Sequence, residues 1–168
     1  MVFTAQSLSH ILSSTTEVAR VYLNRLVDKG LAERLMNGVV SFTQDDFVIS
    51  SQLYEPSYVS LFSALHFHGL ILQVPSVLQC VSPRNTRTFP SLGIEYHKVN
   101  PTFFFGFTTI SLSNSYYFMA TPEKALLDCI YLKLIDEHLL TEVLPKMDRK
   151  IWNSLIRRYP QRFKKWLK

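Results

Sequence analysis

The stretch STTEVARVYLNRLVDKGLAERLMNGVVSFT, running from Ser14 to Thr43, decides how the chain begins. Ser14-Thr15-Thr16-Glu17 has the residue types of a capping box: the Ser hydroxyl accepts from the N3 amide and the Glu carboxylate reaches back to the cap amide. The spacing predicts a helix to about Lys29, stopped by Gly30, a residue that enters the left-handed conformation at little cost. Ala19, Leu23 and Leu26 fall on one face at a 3.6-residue period, with Tyr22 at its edge. Glu17, Arg20, Val21, Asn24, Arg25 and Asp28 fall on the other. Leu31 to Met36 and Val39 to Thr43 are extended runs around Asn37-Gly38, a pair that tolerates the positive φ angles of a type I′ turn. A β-hairpin is expected there.

Working outward, Gln6 to Leu12 reads as a short helix with Leu8, Ile11 and Leu12 apolar, joined to the longer one through Ser13-Ser14-Thr15. Helix, tight turn, helix, Gly and hairpin is the order of a winged helix-turn-helix, with the second helix as recognition helix and the hairpin as wing. On that reading Thr16, Arg20 and Asn24 form a polar stripe opposite the apolar face and meet the major groove of double-stranded DNA. Arg25 and the hairpin residues Arg34 and Asn37 complete the candidate DNA-contacting set. The competing readings are a bare packing unit and a winged helix that binds protein. A winged helix usually has a further helix ahead of these two, and here Met1 stands almost at the start of the first.

With 168 residues the chain holds one ordinary domain or two small ones, and a hydrophobic fraction of 47% excludes a disordered chain. Net charge is +5, which suggests a polyanionic partner. Residues 1–44 carry only +1 of it, residues 45–140 carry −3, and residues 141–168 carry +7. The cations therefore concentrate in the C-terminal tail and leave few for phosphates in the N-terminal module. Cys80 and Cys129 are far apart and form no CxxC pair, so both read as small buried hydrophobes in a reducing compartment. Met1-Val2-Phe3-Thr4 lacks the basic start and apolar run of a secretion signal, and no stretch gives ~20 uninterrupted apolar residues. A soluble, cytoplasmic protein without a membrane partner is expected.

Gln44-Asp45-Asp46 is a polar boundary that divides the chain into a winged helix at 1–44 and a second domain at 45–168. In the second, Phe47 to Tyr54 reads as an amphipathic helix broken by Glu55-Pro56. Ser57 has the chemistry to cap a helix from Tyr58 to His68, closed by Gly69. Short β-like runs follow at Val77–Val81, Ile94–Val99, Phe103–Ile110 and Tyr116–Ala120, the last two flanking Ser113-Asn114 as a hairpin. Thr121-Pro122 opens a helix to about Leu134, with the cap and the N1 proline in the expected order. Helices are also expected at Glu137–Leu144, Arg149–Tyr159 and Gln161–Leu167. The fold class is α+β: a winged helix, then a domain of antiparallel strands and helices with a helical C-terminal tail.

Motifs for chemistry are scarce. The chain has neither GxxxxGK[ST] nor GxGxxG, and five glycines cannot build a glycine-rich loop. GxSxG and HExxH are missing too. His66 and His68 stand two apart, about 200° round a helix, so they cannot share one metal ion. Glu95 and Lys98 have the residue types of a metal-dependent nuclease, but ExxK spacing puts them on opposite faces of a strand. No metal, no cofactor and no enzymatic activity is expected. Arg84 and Arg87, in the loop Ser82-Pro83-Arg84-Asn85-Thr86-Arg87, are candidates for anion contact, against the blander reading of solvated loop charges. In the tail, Arg157, Arg158, Lys164 and Lys165 head a run of cations alternating with Ile151, Trp152, Leu155, Ile156, Phe163 and Trp166. That pattern packs an apolar face and leaves a nearly acid-free face for a polyanion or an acidic partner.

Pro122-Glu123-Lys124-Ala125-Leu126-Leu127-Asp128 reads locally as a helix start with an i,i+4 pair, Lys124 and Asp128. Together with Leu26-Val27-Asp28-Lys29-Gly30-Leu31 and with Tyr58-Val59-Ser60 and Ser63-Ala64-Leu65, it resembles the AbiEi-type antitoxin and transcriptional regulator family of abortive-infection systems. The likeness spans roughly residues 4–132. It implies an N-terminal domain that binds the operator of its own operon and represses it. It also implies a C-terminal domain that counteracts a nucleotidyltransferase-like toxin encoded alongside. The readings competing with it are a protein–protein adaptor that binds no DNA and, on Glu95 and Lys98 alone, a nuclease.

Overall fold

A computed structural model describes residues 1–164. Its N-terminal part begins with strand β1, Val2–Thr4, which the sequence pattern did not announce. Thr4 then caps helix α1, Ala5–Leu12: its hydroxyl accepts from the Ser7 amide, and Ser7 answers to the Thr4 amide. This is the true reciprocal box of the segment. Helix α2, Thr16–Asp28, is capped by Thr15, whose hydroxyl accepts from Val18 N at 3.4 Å. Ser14 is not the cap, because Ser13 takes a left-handed φ of 49° and spends the turn one residue earlier. Val18 thereby becomes N3, and Glu17 cannot close a box. Gly30 ends the helix at φ 69°, as expected.

Strands β2, Glu33–Met36, and β3, Val39–Ser41, form the expected hairpin. Its turn differs from type I′. Positive φ occurs at Gly38 (79°) and not at Asn37, and the register slips between Arg34 and Met36, leaving an extra residue on β2. A bulge thus supplies the twist that a I′ turn would have supplied. β1 pairs antiparallel with β3, giving a small sheet in the order β1-β3-β2. Leu23 of α2, Ala5 of α1 and Val40 of β3 make its core, with Phe3, Leu8, Val27 and Ala32 around them.

The remainder is built on a six-stranded sheet in the order β6-β7-β5-β4-β9-β8. Its strands are β4 (Tyr58–Val59), β5 (Leu78–Ser82), β6 (Arg87–Phe89), β7 (Ile94–Lys98), β8 (Phe107–Ser111) and β9 (Tyr116–Ala120). β8 and β9 form the expected antiparallel hairpin. The sheet is nevertheless mixed, since β5 runs parallel to β7 and β4 parallel to β9. Two local readings are corrected. Tyr58-Val59 is a central strand and not the first turn of a helix, and Arg87 opens an edge strand where a loop was expected.

Helix α3, Asp46–Leu53, is capped by Asp45, which accepts from Phe47 N and Val48 N. Val48, Ile49, Ser50 and Ser51 are buried in succession, so it is embedded and not amphipathic. Helix α4, Leu61–Phe67, ends at Gly69. Helix α5, Pro122–Tyr131, is capped by Thr121 and buries every residue from Glu123 to Ile130. Helices α6 (Glu137–Val143), α7 (Arg149–Ile156) and α8 (Gln161–Lys164) follow. The two parts are bonded through Gln52 of α3: its Oε1 accepts from Val2 N at 2.9 Å, and its Nε2 donates to Ser115 Oγ at 3.2 Å. Val2, Leu35 and Met36 also pack on the main core. Among the described residues, no helix is long and apolar enough to cross a membrane.

Candidate functional site

On α2 the candidate contact residues lie beside the hairpin. A helix turns ~100° per residue, so Arg20 and Asn24 stand one position round from the buried Ala19 and Leu23, on the flank of the core face. The opposite face mixes Val21, 48% exposed, with the exposed Glu17, Arg25 and Asp28, while Val18 and Tyr22, 43% and 50% exposed, lie on the other flank. The expected polar stripe opposite the core is therefore a flank stripe, and Thr16 on it is half-buried. What the flank position gains is contact with the hairpin. Arg34 of β2 donates from Nη2 to Asn24 Oδ1 at 2.8 Å. Arg20, Asn24, Arg34 and Asn37 are all exposed.

Arg84 and Arg87 are brought together by a different device. The buried Ser82 hydroxyl donates to Pro56 O at 2.8 Å and accepts from Arg84 N at 3.2 Å, which pins the start of the loop. Arg87 is held by β6 opposite Tyr96. Each guanidinium carbon stands 5.7 Å from the centroid of the Tyr54 ring, and that of Arg87 stands 4.8 Å from Phe89. Tyr54 in turn rests on Tyr96, whose hydroxyl donates to Ser50 O at 2.6 Å. Arg84 opens onto a cleft of about 860 Å³ walled by Gln6, Ser7 and His10 of α1, Val39 of β3, and Asn114 and Ser115.

In the tail, Trp152, Leu155, Ile156 and Phe163 pack with Tyr159, Phe105 and Leu127. The Arg158 guanidinium carbon lies 3.9 Å from the Phe105 centroid, so this cation is part of the packing. Arg157 is exposed. Lys165 lies outside the described residues, as does the side chain of Lys164.

The site that sequence reasoning missed is inside. Lys124 and Asp128 were legible as a pair one helical turn apart, and nothing local announced that both side chains are fully buried. Lys124 Nζ donates to Asp128 Oδ1 and, at 2.9 Å, to the Tyr159 hydroxyl. Asp128 Oδ2 accepts from Tyr58 OH at 2.9 Å and Ser60 Oγ at 2.8 Å. Ser60 is thereby withdrawn from its position as N-cap of α4, where it makes no side-chain bond to the helix. Phe105, Tyr58 and Tyr159 enclose the ammonium at 4.9–5.9 Å. Burial lowers the pKa of Lys124 and raises that of Asp128; each partner opposes the shift without cancelling it. Burial likewise raises the hydroxyls of Tyr58 and Tyr159. The chemistry of this cluster is cohesion: it ties β4, α5 and the turn after α7 across the core.

The remaining candidates find ordinary partners. His66 Nδ1 meets Ile71 O at 3.3 Å and His68 Nε2 meets Ala120 O at 2.8 Å. Glu95 Oε1 accepts from Gln79 at 2.8 Å and pairs with His97 at 3.0 Å, while Lys98 donates to Asn85. Burial pushes the Cys80 thiol up to about 12 and that of Cys129 up as well, so both stay protonated packing groups. Among the described residues, no three His, Cys, Asp or Glu side chains converge on a metal position. No protein-family model matches the chain, and no curated protein matches it.

Proposed function

We propose that this chain is a cytoplasmic DNA-binding regulator that represses its own operon and acts as antitoxin to a nucleotidyltransferase-like toxin, in the manner of the AbiEi-type family it resembles. The observation that carries the DNA reading is the 2.8 Å bond from Arg34 to Asn24, which locks the hairpin to α2. Two helices across a three-residue turn, followed by a hairpin fixed beside the second helix, suit a winged helix-turn-helix at residues 1–44. Arg20 and Arg34 are then the cations nearest base edges and backbone, with Arg25 and Thr16 behind them. The antitoxin half of the reading rests on the Pro122–Asp128 run and its resemblance. In this chain that run forms the buried helix through which the second domain coheres, which fits a protein whose task is to present a stable surface.

Electrophoretic mobility shift on the DNA upstream of its own coding sequence tests the first half. Co-expression with the product of the neighbouring gene tests the second. Arg20→Ala is expected to cost about 1–3 kcal/mol of operator affinity. Because Asn24 orients Arg34, Asn24→Ala and Arg34→Ala are expected to cost similar amounts, and the double variant hardly more than either. Full operator affinity in Arg20→Ala with Asn24→Ala sinks the assignment.

A second reading, a protein–protein adaptor, is favoured by one observation. Three apolar side chains of α2, Val18, Val21 and Tyr22, are exposed, and so are Ile11 and Leu12 of α1. An adaptor predicts that Val21→Lys abolishes partner rescue while no DNA sequence is bound.

A further inference from the structure

We propose that Arg84 and Arg87, gathered around Tyr54, form a clamp for the phosphodiester backbone of duplex DNA that runs past the hairpin tip along the adjoining cleft. The inference rests on the DNA-binding reading above and adds to it the phosphate contacts that the N-terminal part lacks.

Two guanidinium groups share one phenol ring at the same 5.7 Å. Two like charges around one ring repel, and the usual relief is a carboxylate beside them. Among the described residues, neither arginine has one within ion-pair distance: the three ion pairs involve His97, Lys124 and Lys146. The arrangement is held on purpose by its surroundings. Ser82 pins one end of the loop, β6 pins the other, and Tyr54 is fixed against Tyr96. Among the described residues neither guanidinium has a hydrogen-bond or ion-pair partner, so the N–H donors of both remain for a phosphate, which a guanidinium matches in bidentate fashion. Lys98 adds a third cation, its ammonium 3.3 Å from Asn85 Oδ1 in the same loop.

The ligand class follows from what the cleft joins. Val39, on its wall, directly follows the hairpin tip Asn37-Gly38, and Arg84 lies on the same cleft. Ser7, Gln6, His10, Asn114 and Ser115 line the path between, with Glu55 the one carboxylate. The cleft thus runs from the hairpin read as DNA-contacting to Arg84, with Arg87 beside it at Tyr54, and the ligand that reaches both from the hairpin is the backbone of the same duplex.

The full-length chain is titrated with the duplex upstream of its own coding sequence over a salt series. Each phosphate contact contributes roughly 0.9 to the slope of log affinity against log salt. Arg84→Gln with Arg87→Gln is expected to lower that slope by about 2, while Arg149→Gln with Lys150→Gln, the same charge change on α7, leaves it near the parent value. Tyr54→Leu, which removes the platform and keeps both charges, is expected to weaken binding with a smaller loss of slope. Equal slopes in the two double variants overturn the clamp and leave the DNA reading standing. Loss of rescue from the partner with an unchanged slope also overturns it and assigns the pair to an acidic protein. A parent chain that binds no duplex overturns both.

Discussion

Lys124 and Asp128 pair one turn apart on α5 with neither side chain exposed, and each has further partners: Tyr159 for the ammonium, Tyr58 and Ser60 for the carboxylate. Breaking such a pair from one side leaves an uncompensated buried charge, a loss of about 3–5 kcal/mol. Lys124→Met is expected to fall in that range in urea denaturation. Lys124→Met with Asp128→Asn is expected to recover part of it, because an amide oxygen still accepts from Tyr58 and Ser60. The pH dependence has a defined sign. Burial raises Asp128 in the folded state, and losing the ammonium raises it further. A raised carboxyl contributes stability below its unfolded value that is lost as pH rises through its folded value. Lys124→Met is therefore expected to approach the parent in stability on acidification, and a constant gap across pH contradicts the account.

Gly106 lies against the stem of the same lysine. A Cβ there would stand 3.0 Å from Lys124 Cγ and 3.2 Å from Cδ, at a φ of 76°. Gly69 has a similar φ of 69° and open space around it. Left-handed backbone alone costs a non-glycine residue about 1–2 kcal/mol, whereas overpacking adds about 1–3. Gly106→Ala is expected to destabilise by more than Gly69→Ala, since Lys124 cannot retreat without giving up Asp128 or Tyr159. Equal denaturation midpoints for the two variants contradict this.

The legibility of the fold follows the range of the forces involved. Gly30, the Asn37-Gly38 hairpin, the Thr121-Pro122 helix start and the Tyr116–Ala120 strand are set by residues a few positions apart, and all are present. Tyr58-Val59 went astray because its strand state depends on β5 and β9, pairing with Val81, Cys80 and Met119 far along the chain. Ser57, read as the cap of a helix from Tyr58, instead donates its hydroxyl to Ser50 O, and the helix that does follow starts after Ser60, whose hydroxyl serves Asp128, 68 residues on. An i,i+4 Lys–Asp pair has the same spacing on a surface as in a core, so Lys124 and Asp128 could be read as a pair but not as a keystone. Arg84 and Arg87 were legible as loop cations, but not their shared ring, which stands just after α3.

Glu95, on β7 beside the edge strand β6, gives a second pH test. Burial pushes its carboxyl up, but hydrogen bonds from His97 and Gln79 and the charge of His97 outweigh it and hold the group below its ordinary value of 4.5. A lowered carboxyl contributes stability above its unfolded pKa that is lost as pH falls through the folded one. Glu95→Gln is expected to cost under about 1 kcal/mol at neutral pH, because the pair is partly solvated. The cost is expected to vanish below the carboxylate range. A penalty that persists in acid points to lost packing.

The tail cations divide by what they touch. Arg158 stands 3.9 Å over Phe105, the ring that also faces Lys124 at 4.9 Å. Its guanidinium covers the aromatic cluster of Phe103, Phe105 and Tyr159, so Arg158→Ala is expected to destabilise by about 0.5–2 kcal/mol. That makes it a poor choice for probing a charged surface. Arg157, with Lys164 and Lys165, belongs to the +7 segment, in which Trp152, Leu155, Ile156 and Phe163 are occupied in packing with Leu127 and Tyr131. If the Arg84–Arg87 clamp provides the phosphate contacts, this segment is left for the acidic surface of a protein partner. Neutralising Arg157, Lys164 and Lys165 together, with Arg158 retained, is expected to keep the parent's salt slope on DNA. Rescue from the neighbouring gene's product is expected to fall sharply in the same variant. A slope reduced by about 2 or more assigns the tail to DNA backbone instead, and a variant unchanged in both measurements shows that these cations serve neither DNA nor the partner.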